Sequence, residues 1–569
     1  MGALAKATRT RQMRYTRREW LRTSAAGLAG CWQAGWGLPS RSRLGMVVAE
    51  EPLAAEVGAN FLRKGGNAID AAVAVAFTLA VTYPQAGNLG GGGFLLYRRS
   101  DGWAKVVDFR EVAPRRATEE LYRTVPSEAA VVGPRACAVP GTVRGLGLAQ
   151  RRYGRLKWAE LLQPAIELAE RGFPVPFELA EELRRARHLG RFAESRRVYL
   201  KDGHYWQPGE QFHQPELART LRRIAEQGPE EFYEGETARL IVAAMEPGGG
   251  LIGLEDLRAY QPLEREPLVG QYRGWQVVTV PPPSSGGVGL LQVLGMLEES
   301  GYERCGWGSA DAIHFVAEAL RRFFADRACC LADPAFYSVP LERLLAPAYL
   351  ARRRSGIDWR RATPSQMLGA WPDGLERERA QTTHVSVLDQ DGNAVALTYT
   401  LNGLFGSGVT VPRAGFLLNN EMDDFATRPG QPNQFGLVQG PANRVEPGKR
   451  PLSSMAPTIL VRDGLARLVL GSPGGPRIVS AVLEVVLNMV DFKMEVHDAV
   501  DAPRFHHQWR PDALVLEPGF SPDTVKLLQM KGHRVARIAN VGKVGAIAVQ
   551  DGWMLGVADR RGYGRAAGV

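Results

Sequence analysis

The 569-residue chain predicts a layered α/β fold, with helices packed on a strand-rich centre. Three observations carry that prediction. Helical and strand patterns alternate from about residue 45 onward. Strand-like runs gather late in the chain, at Thr382–Asp389, Ala394–Thr400, Gly415–Asn419, Thr458–Arg462 and Leu465–Gly471. The glycine-rich stretch Asn88–Phe94 follows a helix and leads into a strand, the reverse of the order in a dinucleotide-binding fold.

Each element has a local reason. Leu53–Lys64 and Ala68–Val81 read as helices parted by Gly65-Gly66-Asn67, a stop-and-turn signal. The second is apolar nearly all round and must be buried. It carries Asp70 and is too short to span a bilayer. Gly90–Gly93 mark a tight chain passage into strand Phe94–Arg98. Lys157–Arg171 and Phe177–Arg187 are amphipathic helices. Ser309–Phe324 is another, with Ser309 as N-cap and Asp311 in the first turn. Pro281–Gly287 form a rigid elbow into helix Val288–Glu299. Residues 351–380 turn polar and basic, as an exposed connector does, and helix Ile478–Asp491 follows the last strands.

The formal charge of +10 invites a nucleic-acid reading, but residues 1–22 supply +6 of it, seven Lys/Arg against Glu19. Elsewhere no basic block carries interleaved aromatics, so nucleic acid is a poor partner. The N-terminus reads as an address. Thr16–Arg22 resembles a twin-arginine export signal, and the small-residue run Thr23–Gly30 after it is too short to cross a membrane. Residues 1–31 are therefore expected to be a signal segment, directing the protein to the periplasm or beyond. Leu28–Cys31 has the form of a lipoprotein processing site; lipidation of Cys31 and a chance match both stay open. Cys137, Cys305, Cys329 and Cys330 show no metal spacing. Neighbours such as Cys329 and Cys330 are badly placed to bridge, so no disulfide is expected, and the thiols are assigned to apolar packing.

The stretch AQTTHVSVLDQDGNAVALTYT, residues 380–400, forms a hairpin with hydroxyls at both ends. A two-residue Asp391-Gly392 turn would set Thr383 opposite Thr400. A three-residue loop with Gly392 left-handed would instead set Thr382 opposite Thr400. In the second register Thr382, His384 and Ser386 share a face with Ala396, Thr398 and Thr400. A one-residue slip exchanges the faces, so the residues alone leave the choice open.

Ten blocks in order resemble the γ-glutamyltransferase (glutathione hydrolase) family of the N-terminal-nucleophile superfamily. They are FLRKGGNAIDAAVA, NLGGGGF, VDFREVAP, VPGTVRG, PPPSSGGVGL, QTTHVSVLDQDGNAVALTYTLN, LLNNEMDDF, KRPLSSMAPT, GSPGG and APRFHHQW. The resemblance implies a four-layer αββα sandwich. It also implies a self-cut between Gln381 and Thr382. Residues 45–381 and 382–569 would then be large and small portions of one intertwined unit, held together as a heterodimer.

Chemistry supports that assignment. A threonine hydroxyl is a weak nucleophile without an adjacent base, and an N-terminal threonine supplies one in its own α-amine. That amine titrates near ~7.7–8.0, so it accepts a proton at neutral pH. Carried onto this chain, Thr382 is the nucleophile and Thr400 orients it, which favours the three-residue loop. Thr383 remains an ordinary strand residue. Gly474 and Gly475 would offer backbone N–H groups to the oxyanion. Arg110 would pair with the α-carboxylate of a γ-glutamyl head, with Ser453 and Ser454 as further donors. Asn402, Glu421 and Asp424 would hold its ammonium. The expected substrates are glutathione and related γ-glutamyl compounds, with water, amino acids or peptides as acceptors. No cofactor is implied. His506-His507 lack a third metal ligand and point to opposite faces, so packing or structural hydrogen bonds are expected there.

One departure from the family concerns Phe425–Gly436, which resembles a lid loop. Phe435 stands where the family often has Tyr, so it can cover the pocket without a hydroxyl latch. Two other readings compete: a cephalosporin or glutaryl acylase, and a non-catalytic exported binding protein. Asp424 would sit unpaired in the first, and an intact Thr382, Thr400, Gly474 and Gly475 set would be unexplained in the second.

Overall fold

Alternation along the central hairpin sets the layers. In strand Thr383–Asp389, Val385 and Val387 join a core cluster with Ile69, Val73 and Phe77 of helix Ala68–Thr82. Burying each of those large side chains stabilises the fold by about 1.5–3 kcal/mol. Ser386 points the other way, its Oγ donating to the carbonyls of Val469 and Gly545 in a second sheet. The computed structural model describes residues 40–369 and 382–569. The signal segment 1–31, Gln381 and most of the run before it lie outside them.

The first sheet runs Arg565–Gly568, Gly45–Ala49, Thr383–Asp389, Ala394–Thr400, Gly92–Arg98, Ala104–Asp108 and Leu263–Arg265. The second runs Ser40–Ser42, Trp553–Ala558, Gly545–Gln550, Leu465–Gly471, Thr458–Arg462, Trp275–Thr279 and Leu268–Tyr272. Helices Pro52–Arg63 and Ala68–Thr82 pack on the outer face of the first. Helices Gly286–Leu297, Ala310–Cys330 and Arg477–Val490 share a cluster with the second and with the inner face of the first. The order is helix, sheet, sheet, helix, as the family resemblance implies. Strands from before and after residue 382 are mixed in both sheets.

The hairpin adopts the three-residue register. Thr383 lies opposite Tyr399 and Leu388 opposite Ala394, so Thr382 falls opposite Thr400. Gly392 takes φ +82° and its N–H donates to the Asp389 carbonyl. A side chain there would be strained, which is why glycine closes the loop. The glycine passage presses on the same hairpin: a Cβ on Gly91 would lie 1.9 Å from the Thr400 carbonyl oxygen. Helix Ala68–Thr82 opens on a reciprocal capping box between Asn67 and Asp70.

Several expectations are corrected. Gly415–Asn419 is no strand; Leu417 and Leu418 make isolated bridges to Thr410 and Gly90, because this segment threads between loops. The helix expected to end at Phe324 continues to Cys330, since its last turns are also buried. The exposed connector begins later than expected: Ala351–Ser355 close helix Pro347–Ser355, where Arg353 pairs with Asp326 and Arg354 with Glu299. Cys329 and Cys330 are joined as a disulfide, with Cα atoms 3.8 Å apart. That is closer than in most bridges, and both cysteines lie in the last turn of the helix. Cys305 is exposed, while Cys137 is buried as expected.

Candidate active site

Thr382 sits at the mouth of the gap between the sheets, one residue before its strand, and is only 4% exposed. Its Oγ1 lies 3.4 Å from Thr400 Oγ1, which also accepts from the Asn402 N–H at 2.8 Å. Thr383, with Val385, faces the helices, and its hydroxyl has no hydrogen-bond partner among the described residues. On the shared inner face, His384 bonds Thr398 and Ser386. Burial pushes the His384 imidazole down to about 3, so it stays neutral. Asn402 takes φ +77°, a region Asn tolerates, and its Nδ2 donates to the Asn420 carbonyl.

Facing Thr382 is the turn that ends strand Leu465–Gly471. Gly474 has φ +137° and Gly475 φ +55°, and helix Arg477–Val490 starts directly after them. The turn therefore presents a helix N-terminus, with its partial positive charge, to the pocket. Neither glycine N–H donates to the protein among the described residues.

Arg110 closes the third side, two residues beyond strand Ala104–Asp108. It is fully buried and bonds directly to Asp424, lies 2.8 Å from Glu421 and 3.3 Å from Glu111, and donates to the Pro451 carbonyl. Burial alone would lower the guanidinium, but Glu421, Glu111 and Asp424 together hold it above its usual range. One cation cannot keep three carboxylates ionised in a dry site. Burial lifts Glu421 well above the carboxylate range, and Glu111, partly offset by Arg110, up to about 7. Ser453 and Ser454 approach from the segment after Arg450, where Ser453 Oγ accepts from the Met455 N–H.

These side chains line a partly open pocket formed by Arg110, Thr382, Thr400, Asn402, Asp424, Phe435, Ser453, Ser454 and Gly475. Gly474 and Glu421 stand just behind that lining. The structure thus gathers every residue singled out from the sequence that lies among the described residues. The Thr382 hydroxyl, the glycine turn and an arginine–carboxylate pair share one pocket.

Residues 54–569 match the family model described as Gamma-glutamyltranspeptidase. The chain belongs to this family. It is 47% identical over 531 residues to the glutathione hydrolase proenzyme of Escherichia coli (strain K12), covering 92% of this chain and 91% of that one. It is 40% identical over 541 residues to the acylase ACY 1 proenzyme of Pseudomonas sp. (strain SE83), covering 92% and 94%. Among solved structures, the cephalosporin acylase from Bacillus halodurans is similar with a TM-score of 0.83 at 28% identity, covering 93% of this chain and 97% of that one. The resemblance read from the ten sequence blocks is borne out.

In this gamma-glutamyltranspeptidase family member the segment read as a lid contributes Phe435 and Leu437 to the pocket lining. Phe435 is 3% exposed, and its carbonyl accepts from Gln508 Nε2 at 3.0 Å. Asp423 accepts from the Gln434 N–H, and Pro432 bridges Val438. Without a hydroxyl latch at Phe435, this segment is held by backbone bonds and by Gln508. His506 bonds Ser480 and Gln508, and His507 accepts from the Trp509 N–H and lies 3.3 Å from Asp512. Both histidines are structural, and no group of side chains is placed to hold a metal among the described residues.

Two site residues escaped the sequence reading, Glu111 and Gln508. Each stands inside a quoted block, VDFREVAP and APRFHHQW, so the signal was present without a role attached. The expectation that Asp424 would be unpaired without a substrate ammonium does not hold: Arg110 pairs with it.

Proposed function

We propose that this protein cuts itself between Gln381 and Thr382 and then transfers γ-glutamyl groups from glutathione and related amides to water, amino acids or peptides. The observation that carries this reading is the shared cavity, with Thr382 opposite Thr400 at one end and the Arg110–Asp424 pair at the other.

In the self-cut, the Thr382 hydroxyl attacks the Gln381 carbonyl carbon and the peptide C–N bond breaks to give an ester. Water then cleaves the ester, leaving a free Thr382 amine and a Gln381 carboxylate. That amine next takes the hydroxyl proton as Oγ1 attacks the γ-carbonyl of the substrate. The Gly474 and Gly475 N–H groups stabilise the oxyanion. The proton passes to the departing amine, and the γ-glutamyl group stays on Thr382 as an ester. Water or an acceptor amine then attacks it, and Thr382 is restored. Arg110, with Ser453 and Ser454, binds the α-carboxylate; Asn402, Glu421 and Asp424 bind the ammonium. No step requires a cofactor. The two portions, 45–381 and 382–569, remain together as a heterodimer because their strands are mixed in both sheets. Residues 1–31 direct export by the twin-arginine route.

The Arg110–Asp424 pair supports a second substrate class. A glutaryl head has the carboxylate but no amine, and leaves Asp424 no less paired with Arg110 nearby. Glutaryl amides are therefore the competing acylase reading. A denaturing gel with N-terminal sequencing, followed by anilide release from γ-glutamyl and glutaryl p-nitroanilides, separates these. Two fragments, one starting at Thr382, and faster γ-glutamyl release are expected. A single uncut band would overturn the self-cut, and faster glutaryl release would favour the acylase.

A further inference from the structure

A second guanidinium lies behind the pocket wall. Arg327, in the last turn of helix Ala310–Cys330, is 2% exposed. Its backbone is tied down: its carbonyl accepts from the Leu331 N–H, and the carbonyl of the next residue, Ala328, accepts from the N–H of Gly440, four residues beyond the lid loop. Its side chain is partnered by hydroxyls. Nε donates to Ser285 Oγ at 3.0 Å, and Nη2 lies 3.5 Å from Ser454 Oγ. Nη1 is buried and has no hydrogen-bond partner among the described residues. Burial pushes the guanidinium down to about 10, so it remains charged at neutral pH, with Asp424 and Arg110 as the charges acting on it.

Arginine can only donate hydrogen bonds. Each serine oxygen facing it must therefore accept. Ser285 meets that demand and sends its own proton to the Ser453 carbonyl at 2.7 Å. Ser454 lines the cavity and has no protein acceptor for its proton among the described residues. With its lone pair turned to Arg327, its O–H points into the pocket. An under-neutralised buried cation is also costly, and an anion arriving across one serine offsets that cost.

We propose that Arg327 is a positioning and specificity residue for the substrate's α-carboxylate, acting through Ser454. It forces Ser454 to donate into the pocket and places a second positive charge behind the carboxylate held by Arg110. This rests on the γ-glutamyl reading above and adds a residue to it.

The test compares L-glutamate with 4-aminobutyrate, which keeps the amine and lacks the α-carboxylate, as competitive inhibitors of γ-glutamyl p-nitroanilide hydrolysis. In Arg327→Gln, glutamate inhibition should weaken at least tenfold, with 4-aminobutyrate inhibition changed less than twofold. Arg327→Lys, still charged and donor-only, should recover most of the glutamate affinity. Ser454→Ala, with Arg327 in place, should lose glutamate affinity to a similar extent, and this variant decides the matter if Arg327→Gln fails to fold. Equal weakening of both inhibitors in Arg327→Gln, or an unchanged glutamate constant in Ser454→Ala, overturns the proposal. Wild-type protein that does not turn over the anilide refutes the enzyme reading instead, and the two failures are distinguishable.

Discussion

Arg110 and Asp424 form a buried ion pair in the cavity that also holds the Thr382 hydroxyl. The pair holds the two charges a zwitterionic γ-glutamyl head would need, already satisfied by each other. Binding therefore exchanges one set of ion pairs for another, which limits the cost of desolvation. Four expectations follow from the geometry around it.

Thr382→Ala should abolish both self-cleavage and turnover, since one oxygen serves both reactions. Thr400→Val should slow each about a hundredfold, the low end of what a positioned proton-transfer partner supplies. Thr400→Ser keeps the hydroxyl and should stay within tenfold of wild type. Fragment formation on a gel and single-turnover rates check this. A Thr400→Val protein with wild-type rates would remove Thr400 from the mechanism.

Gly474→Ala should lower kcat by about 10²–10³-fold, the loss expected when an oxyanion donor is misplaced. Its φ of +137° resists a side chain, so the turn must shift. KM should change less than threefold, because the head-group contacts lie on the other side of the cavity. Steady-state kinetics on the cut form show whether the loss falls on kcat.

Glu111 is pushed up to about 7, so near pH 6.5 it is largely protonated in the folded protein. A substrate ammonium favours the ionised form of nearby carboxyls, lowering their pKa on binding. Glutamate binding at pH 6.5 should therefore release protons, and affinity should rise between pH 6 and 8. Calorimetry in buffers of different ionisation enthalpy measures the release, which should shrink in Glu111→Gln. Proton uptake on binding would reverse the sign and defeat the assignment.

Gln508→Ala removes the side-chain bond to the Phe435 carbonyl, a loss of about 0.5–1.5 kcal/mol in lid closure. KM should rise severalfold and self-cleavage should persist. Limited proteolysis should nick residues 425–440 faster than in wild type. Unchanged proteolysis would mean that the backbone bonds alone hold the lid.

Much of this was legible beforehand because its signals are local. Helix Ala68–Thr82 announces itself by a nearly continuous apolar run and an Asn67 cap, and Gly392 marks the hairpin loop. Thr382, Arg110, Asp424 and Gly475 stand within long blocks whose order is itself the signal. The missed features depend on distant partners. Leu417 and Leu418 look like strand residues but meet only isolated bridging neighbours. The Cys329–Cys330 link joins neighbours instead, and it was missed because the usual geometry of bridges speaks against adjacent cysteines.

The residues along the chain were enough to establish the layered fold and the family and to single out Thr382 as the candidate nucleophile, because periodicity, turn chemistry and motif order are properties of neighbours. Tertiary structure decided the rest. It selected the hairpin register that sets Thr382 against Thr400, since only packing against a second sheet distinguishes the two faces. It paired Arg110 with Asp424 across 314 positions, brought Arg327 behind Ser454, and tied the lid to Gln508. Electrostatics in a buried site depends on distance in space and on the loss of water, and neither is written in the order of the residues.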